Sequence, residues 1–195
     1  MKFQIKARTN PNVVNYPTED FTIARSFAKR LKTEFGDFLK TVVIFGSTAR
    51  RTAGEKADID IMVIVDDLSI RMTPEVIEAY KLIVEKTIGK VSTKIHLTSL
   101  TLTSFWEYAR AGDPVSINIL RDGVALIDFG FFEPLQALLK QGRIRPTTES
   151  VWNYFGRAPR TMTNSKWHII QATLDLYWAV IDAAHAALMK QGEIP

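Results

Sequence analysis

The chain reads Thr41-Val42-Val43-Ile44-Phe45-Gly46-Ser47 and, after a short loop, Asp58-Ile59-Asp60-Ile61-Met62-Val63-Ile64-Val65. Each stretch contains an apolar run of strand length that is rich in β-branched residues, so each predicts a buried strand. Gly46 allows the backbone to turn sharply and to approach another group closely. Ser47 and the residues after it predict the start of a short helix, whose unpaired N–H groups attract anions such as phosphate.

The second predicted strand opens on two acids. Asp58 and Asp60 are separated by one residue, and in a strand this spacing places both carboxylates on one face. Neighbouring carboxylates repel each other unless a cation lies between them, and Mg²⁺ accepts such oxygen ligands while keeping positions for water and phosphate. A phosphate-binding turn beside a Mg²⁺ site is suited to attack on a nucleotide phosphate. Alternatively, the two acids are ordinary polar residues at a strand end and bind no metal. The apolar strand before Gly46 makes this alternative less favoured, because the two patterns seldom occur together by chance.

The joint pattern resembles a known family. Gly46-Ser47 followed by Asp58-Ile59-Asp60 is similar to the signature of the DNA polymerase β-type nucleotidyltransferase superfamily, and residues 46–51 resemble its minimal nucleotidyltransferase branch. The resemblance implies an α+β fold with a small mixed β-sheet flanked by helices and a C-terminal all-helical appendage. It also implies transfer of a nucleoside monophosphate from a triphosphate, with pyrophosphate as the leaving group.

The resemblance also assigns roles to individual residues. Gly46 and Ser47 would hold the phosphates of the nucleotide, and Arg50 would assist with the charge that develops on them. Asp58 and Asp60 would bind Mg²⁺ and act as catalytic residues. The implied substrates are a nucleoside triphosphate, ATP in the first instance, and a hydroxyl acceptor on a protein or a small molecule.

One position departs from the family pattern. Active members carry a third acid on the third strand, but the sequence has no Asp or Glu between Lys86 and Trp106, and His96 stands roughly at that place. A histidine can act as a general base at neutral pH, and it can equally be a satisfied polar residue at a strand end. Two functions therefore stay open. The first is transfer of AMP from ATP to a hydroxyl, and the second is a catalytically weak or inactive nucleotide-binding, antitoxin-like module that pairs with a helical partner.

Hydrophobic spacing and turn signals predict the other elements of a nucleotidyltransferase domain over residues 1–130. They favour an edge strand at residues 2–8, helices at Glu19–Phe35, Pro74–Ile88 (ended by Gly89) and Leu102–Ala111, a strand at Val91–Thr98, and a hairpin of Val115–Leu120 with Val124–Ile127.

From residue 131 to residue 195 the pattern is helical only. We expect helices at Pro134–Gln141, Thr148–Phe155 and Ser165–Lys190, with a break between Gly156 and Pro159. Residues 180–189 resemble the opening helix of a HEPN domain, so this C-terminal region would be an incomplete HEPN-like domain. Its apolar stripe predicts pairing of two copies of the chain through the C-terminal helices.

Composition excludes several classes of protein. The 195 residues include no cysteine, which excludes disulfides and thiolate metal sites. No run of eighteen apolar residues and no signal-peptide core are present, so we expect no membrane partner and a cytoplasmic location. The net charge is only +4, without a block of like charges, which does not favour a nucleic-acid partner.

Overall fold

The computed structural model describes residues 10–46 and 58–191, and the predicted edge strand at residues 2–8 lies outside them. The chain divides into two compact units, Met1–Thr147 and Thr148–Pro195. The first unit therefore extends beyond residue 130 and includes the helix at Phe132–Lys140, whose Phe132 and Leu135 are buried in its core.

Six α-helices and four β-strands make up the described part of the chain. The strands are β1 (Leu39–Phe45), β2 (Ile59–Val65), β3 (Ile95–Thr101) and β4 (Val124–Asp128). The helices are α1 (Thr18–Phe35), α2 (Pro74–Val91), α3 (Leu102–Ala111), α4 (Pro114–Asp122), α5 (Phe132–Lys140) and α6 (Thr148–Lys190). A short 3₁₀ helix, Pro11–Asn15, precedes α1.

The four strands form one mixed sheet in the order β3-β2-β1-β4. Strand β1 is antiparallel to both β2 and β4, whereas β2 is parallel to β3. Helices cover both faces, which confirms the predicted α+β fold with a small mixed sheet and a C-terminal helical region. This order brings the end of β1 and the starts of β2 and β3 to the same edge of the sheet.

Both faces of the sheet are buried, and this explains the continuous apolar composition of β1 and β2. On one face, Ile44, Ile61 and Val63 pack with the buried stripe of α1. On the other face, Met62 and Ile64 pack with residues of α3, α4 and α5. Full burial of one such side chain contributes about 1.5–3 kcal/mol, so the two central strands fix the fold.

The predicted hairpin is wrong. Val115–Leu120 lies inside α4, and β4 pairs with β1. Asp113 is the N-cap of α4, where its Oδ1 accepts hydrogen bonds from the backbone N–H groups of Val115 at 2.8 Å and Ser116 at 3.4 Å. Pro114 follows at the first helical position, which its fixed φ suits. The alternating Val-Ser-Ile-Asn-Ile pattern is equally compatible with this short helix, because Ser116 and Ile119 are the positions that become buried.

Other predicted boundaries also differ. Helix α2 continues through Gly89 to Val91, and β3 consequently begins at Ile95. A glycine inside a helix costs only about 1 kcal/mol relative to alanine, so Gly89 does not end α2. The predicted break before Pro159 is absent as well, because α6 runs through it without interruption.

Helix α6 makes up nearly all of the described part of the second unit. Many large apolar side chains of this helix are exposed, among them Trp152, Phe155, Trp167, Ile170 and Trp178. The HEPN-like character of this region and the pairing of two copies stay predictions. Across residues 10–46 and 58–191, no helix combines the length and the apolarity that a membrane crossing requires.

Asp66 fixes the turn that leaves β2. Its Oδ2 lies 2.9 Å from Nζ of Lys40, and its Oδ1 accepts the backbone N–H groups of Leu68 at 2.9 Å and Ser69 at 3.1 Å. Asp66 is only 3% exposed. The hydrogen bond from Lys40, together with these backbone donors, holds the pKa of the Asp66 carboxyl well below its ordinary value.

We expect Asp66→Asn to lower the free energy of unfolding by roughly 1.5–3 kcal/mol at neutral pH, the usual range for a hydrogen bond to a charged group. Because the pKa is lower in the folded protein, the ionised carboxylate stabilises the fold above the unfolded pKa of about 4, and this contribution is lost as the pH falls. Urea unfolding between pH 7 and pH 3 should therefore show the two proteins converging in acid. The exposed Asp37→Asn is the matched control, and a constant difference down to pH 3 would contradict the assignment.

Candidate active site

Three side chains converge at the sheet edge where β1 ends and β2 and β3 begin. Phe45 on β1 is paired with Asp60 on β2, and Asp60 is paired in turn with His96 on β3. Paired residues of neighbouring strands point to the same face of a sheet. The strand register therefore places Asp60 between Phe45 and His96, on the face that α4 covers.

Gly46 lies directly against Asp60. Its φ is +100°, a conformation that side chains rarely adopt, and a Cβ at this position would lie 2.1 Å from Oδ2 of Asp60. Only glycine fits this position without displacing the carboxylate. The close backbone approach that the sequence suggested for Gly46 is thus an approach to the second acid of the motif.

Asp60 and His96 are hydrogen-bonded. Nδ1 of His96 lies 3.1 Å from Oδ1 of Asp60, and the His96 side chain is 69% exposed while that of Asp60 is 25% exposed. If Nδ1–H donates to the carboxylate, the lone pair of His96 lies on Nε2. In that tautomer the pair presents a carboxylate and a proton-accepting ring nitrogen at one edge of the sheet.

The other predicted site residues are placed differently. Asp58 is exposed and immediately precedes β2, whose first residue is Ile59. Ser47 and Arg50, the predicted phosphate ligands, lie outside the described residues. The structure therefore brings together Gly46, Asp60 and His96, with Asp58 next to the start of the same strand.

An open cleft of about 400 Å³ lies over Gly46, Asp60 and His96. Its sheet side is formed by Phe45, Gly46, Asp60, His96 and Thr98, and its helix side by Val115, Asn118, Ile119 and Asp122 of α4. Sequence reasoning missed the helix side, because it assigned Val115–Leu120 to a strand. The available signal was the Asp113-Pro114 helix start followed by residues spaced as on one helix face.

Tyr16 is a second residue that sequence reasoning missed. Its hydroxyl lies 3.1 Å from the carbonyl oxygens of both Ile44, two residues before Gly46, and Asp122, the last residue of α4. Burial raises the pKa of the Tyr16 hydroxyl, with further contributions from the charges of Asp122 and Asp60. The tyrosine therefore stays neutral and connects the turn of the motif to the helix wall of the cleft.

The donor set fits Mg²⁺ but is small. Within residues 10–46 and 58–191, no three His, Cys, Asp or Glu side chains converge on one metal position. Mg²⁺ in nucleotide sites typically takes one or two carboxylates and completes its shell with substrate phosphates and water. Asp60, which lies against Gly46, and Asp58, which immediately precedes the same strand, match that number of carboxylates.

A family model described as a nucleotidyltransferase domain matches residues 24–126. A protein of Methanocaldococcus jannaschii that is named as a protein adenylyltransferase is 43% identical over 49 residues, which are 25% of this chain and 33% of that protein. The match thus spans about a third of that relative's length.

Two solved structures are also similar. One, from Sulfolobus solfataricus and named as a nucleotidyltransferase, has a TM-score of 0.38 at 17% identity and covers 51% of this chain and 82% of that one. The other is a chain of the complex of tri-AMPylated Shewanella oneidensis HEPN toxin with MNT antitoxin, with a TM-score of 0.39 at 15% identity and coverage of 76% and 98%. These scores are too low to add to the family assignment. The family model covers more than half of the chain and includes both strands of the motif, and the chain therefore belongs to the nucleotidyltransferase domain family.

Proposed function

We propose that this protein transfers AMP from ATP, in a Mg²⁺-dependent reaction, to a hydroxyl group of a protein or a small molecule. The observation that carries the proposal is the convergence of Gly46, Asp60 and His96 at one sheet edge, within the residues that the family model matches. The name of the M. jannaschii relative supports adenine as the base. The match spans only about a third of that relative's length. The identity of the acceptor and of the base is therefore part of the proposal.

Asp58 and Asp60 would hold Mg²⁺ together with the phosphates of the nucleotide. When bound, the metal neutralises charge that develops on those phosphates. The family resemblance assigns Ser47 and Arg50 to the same phosphates. Gly46 contributes by its missing side chain, because the space beside its Cα is where the Asp60 carboxylate lies.

His96 would accept the proton of the attacking hydroxyl. The hydroxyl oxygen forms a bond to the α-phosphorus while the bond from that phosphorus to the pyrophosphate oxygen breaks, and the hydroxyl proton moves to Nε2 of His96. Asp60 orients the ring through the 3.1 Å contact at Nδ1 and favours the tautomer whose Nε2 is free. A histidine can thus take over the proton-accepting role that a third acid has in the family pattern.

We expect His96→Ala to lower kcat roughly 10²- to 10⁴-fold, the usual contribution of a general base. Transfer of label from α-³²P-ATP to a panel of protein and small-molecule hydroxyl acceptors, with and without Mg²⁺, measures both the activity and the loss. His168→Ala, an exposed histidine on α6, is the control and should retain full activity. An unchanged kcat in His96→Ala would remove the histidine from the mechanism.

A second candidate is a nucleotide-binding module with little or no activity that pairs with a helical partner. The third strand, β3, carries no acid where the family pattern has one, and this favours the second candidate. A wild-type protein that binds Mg²⁺-ATP in a thermal-shift assay but transfers no label to any acceptor would support this candidate over the enzyme.

The proposal also gives the C-terminal region a role in the association of two copies of the chain. We infer that residues 131–195 include a HEPN-like helical part through which two copies associate, and the exposed aromatic side chains of α6 support this. The lack of cysteine in the sequence is consistent with a cytoplasmic location.

A further inference from the structure

One face of α4 forms the helix wall of the cleft. Val115, Asn118, Ile119 and Asp122 line it, and their spacing of three or four residues is that of neighbours on one helix face. Val115 and Asn118 are exposed to the cleft, whereas Ile119 is 5% exposed and anchors the helix in the core. The wall thus combines apolar surface with two polar groups.

The C-terminal end of this wall is held rigidly. Nε2 of Gln136 donates to the carbonyl oxygens of Leu120 at 2.8 Å and Gly123 at 2.9 Å, and Nδ2 of Asn12 donates to that of Arg121 at 2.8 Å. The Tyr16 hydroxyl is likewise within hydrogen-bond distance of the carbonyl oxygen of Asp122. Side chains from other elements therefore satisfy carbonyls that a helix end leaves without partners. A wall fixed in this manner can present its side chains at one geometry, which discrimination between ligands requires.

The covalent structure of the nucleotide determines which of its parts must lie in the cleft. In the proposed function the α-phosphate lies at Asp60, and Asp60 lines the same cleft as the α4 wall. The sugar and base are covalently attached to that phosphate and need space within a few ångströms of it. The cleft, about 400 Å³, falls within the roughly 300–1,000 Å³ that small-molecule sites occupy.

The chemistry of the cleft matches a nucleobase. A base has two flat apolar faces and a hydrogen-bonding edge, and Val115 on the wall and Phe45 on the sheet side provide apolar surface beside the amide of Asn118. An asparagine amide offers one acceptor and two donor hydrogens, and it can pair in two-point fashion with N6 and N7 of adenine.

The charge of the wall is also compatible with a nucleoside. Asp122 would repel an anionic ligand if its charge stood alone, but its Oδ1 and Oδ2 each accept a hydrogen bond from the Arg121 guanidinium at 2.7 Å. This ion pair offsets the negative charge that Asp122 brings to the wall. Such a wall suits the neutral part of a nucleotide better than its phosphates.

We propose that the α4 face seats the base and sugar of the nucleotide, with Val115 against a face of the base and Asn118 hydrogen-bonded to the edge of adenine. The inference rests on the proposed function and adds to it the residue that selects the base. Asn118 is then a specificity residue, and its loss should alter discrimination between nucleotides.

The test compares the affinities of the full chain for Mg²⁺-bound ATP, GTP, CTP and UTP by isothermal titration calorimetry. Asn118→Ala should weaken ATP binding roughly 5- to 100-fold, the range of a lost two-point base contact, while the other three affinities change less than about threefold. Val115→Ala should weaken all four by a similar factor, because it contacts the face that every base has. Asn164→Ala, an exposed asparagine on α6, should change none of them.

The remaining outcomes separate this inference from the proposed function. Wild-type protein that binds no nucleotide overturns both. Wild-type protein that binds nucleotide, with Asn118→Ala affecting all bases equally or none, overturns the base assignment alone. Unchanged nucleotide affinities with a raised KM for the hydroxyl acceptor would also overturn it and would assign the wall to the acceptor. Because Asn118 is exposed, its variant should fold, and its circular-dichroism melting curve verifies this.

Discussion

Asp60→Asn should lower the transfer of labelled AMP about 10³- to 10⁴-fold with little change in stability. The substitution keeps the size of the side chain but removes the charge that would bind Mg²⁺. It also replaces a carboxylate beside Nδ1 of His96 with a group that can donate, which favours the wrong tautomer of the ring. Loss of an aspartate that orients a catalytic histidine costs about 10⁴-fold in serine proteases, which sets the scale.

Two measurements accompany the Asp60 prediction. The melting temperature should change by only a few degrees, because Asp60 lies near the start of β2, beside the cleft, and its side chain is 25% exposed. Asp175→Asn on α6, an exposed aspartate in the other compact unit, should leave transfer unchanged. Transfer by Asp60→Asn at the wild-type rate would contradict the assignment of the site.

The strand part of the site could be predicted from the sequence because its signals are redundant. The runs before Gly46 and after Asp58 are apolar, β-branched and of strand length, and burial on both faces of a sheet demands this composition. The pairing of Asp60 with His96 could only be guessed. It depends on the register between two parallel strands, and the sequence pattern placed the start of β3 at Val91, whereas β3 begins at Ile95.

The helix wall could not be predicted because a short apolar run is ambiguous. Val115, Ile117 and Ile119 alternate as in a strand, yet the buried residues are Ser116, Ile119 and Leu120, whose spacing of three and four is that of a helix face. Tyr16 left no signal at all. Its hydrogen-bond partners are main-chain carbonyls of β1 and α4, and no side-chain pattern records such partners.

Gly46→Ala should disrupt both the fold and the site. The residue has φ +100°, and a new Cβ would lie 2.1 Å from Oδ2 and 2.9 Å from Cγ of Asp60. Backbone strain at such a φ costs about 1–3 kcal/mol, and the contact with Asp60 must be relieved in addition, by movement of the turn or of the carboxylate. We therefore expect a lower free energy of unfolding and a loss of transfer comparable to that of Asp60→Asn.

Gly130→Ala separates the two costs of the Gly46 substitution. Gly130 has φ +81°, and a Cβ there would meet nothing within 4 Å. This control should carry the strain alone, with a loss within the same range of about 1–3 kcal/mol and full activity. Equal stability losses in Gly46→Ala and Gly130→Ala would show that the contact with Asp60 is not a real constraint.

A double-mutant cycle tests the same contact directly. Asp60→Ala removes Oδ2 and Cγ and leaves only its own Cβ, 3.0 Å from the added methyl. Gly46→Ala should therefore destabilise the Asp60→Ala background less than the wild type, by an interaction energy within the 0.5–3 kcal/mol that contacting residues show. Chemical denaturation of the four proteins measures that energy without any assumption about substrate or metal. A value near zero would mean that the glycine and the acid are independent, and the geometric basis of the proposed site would fail with it.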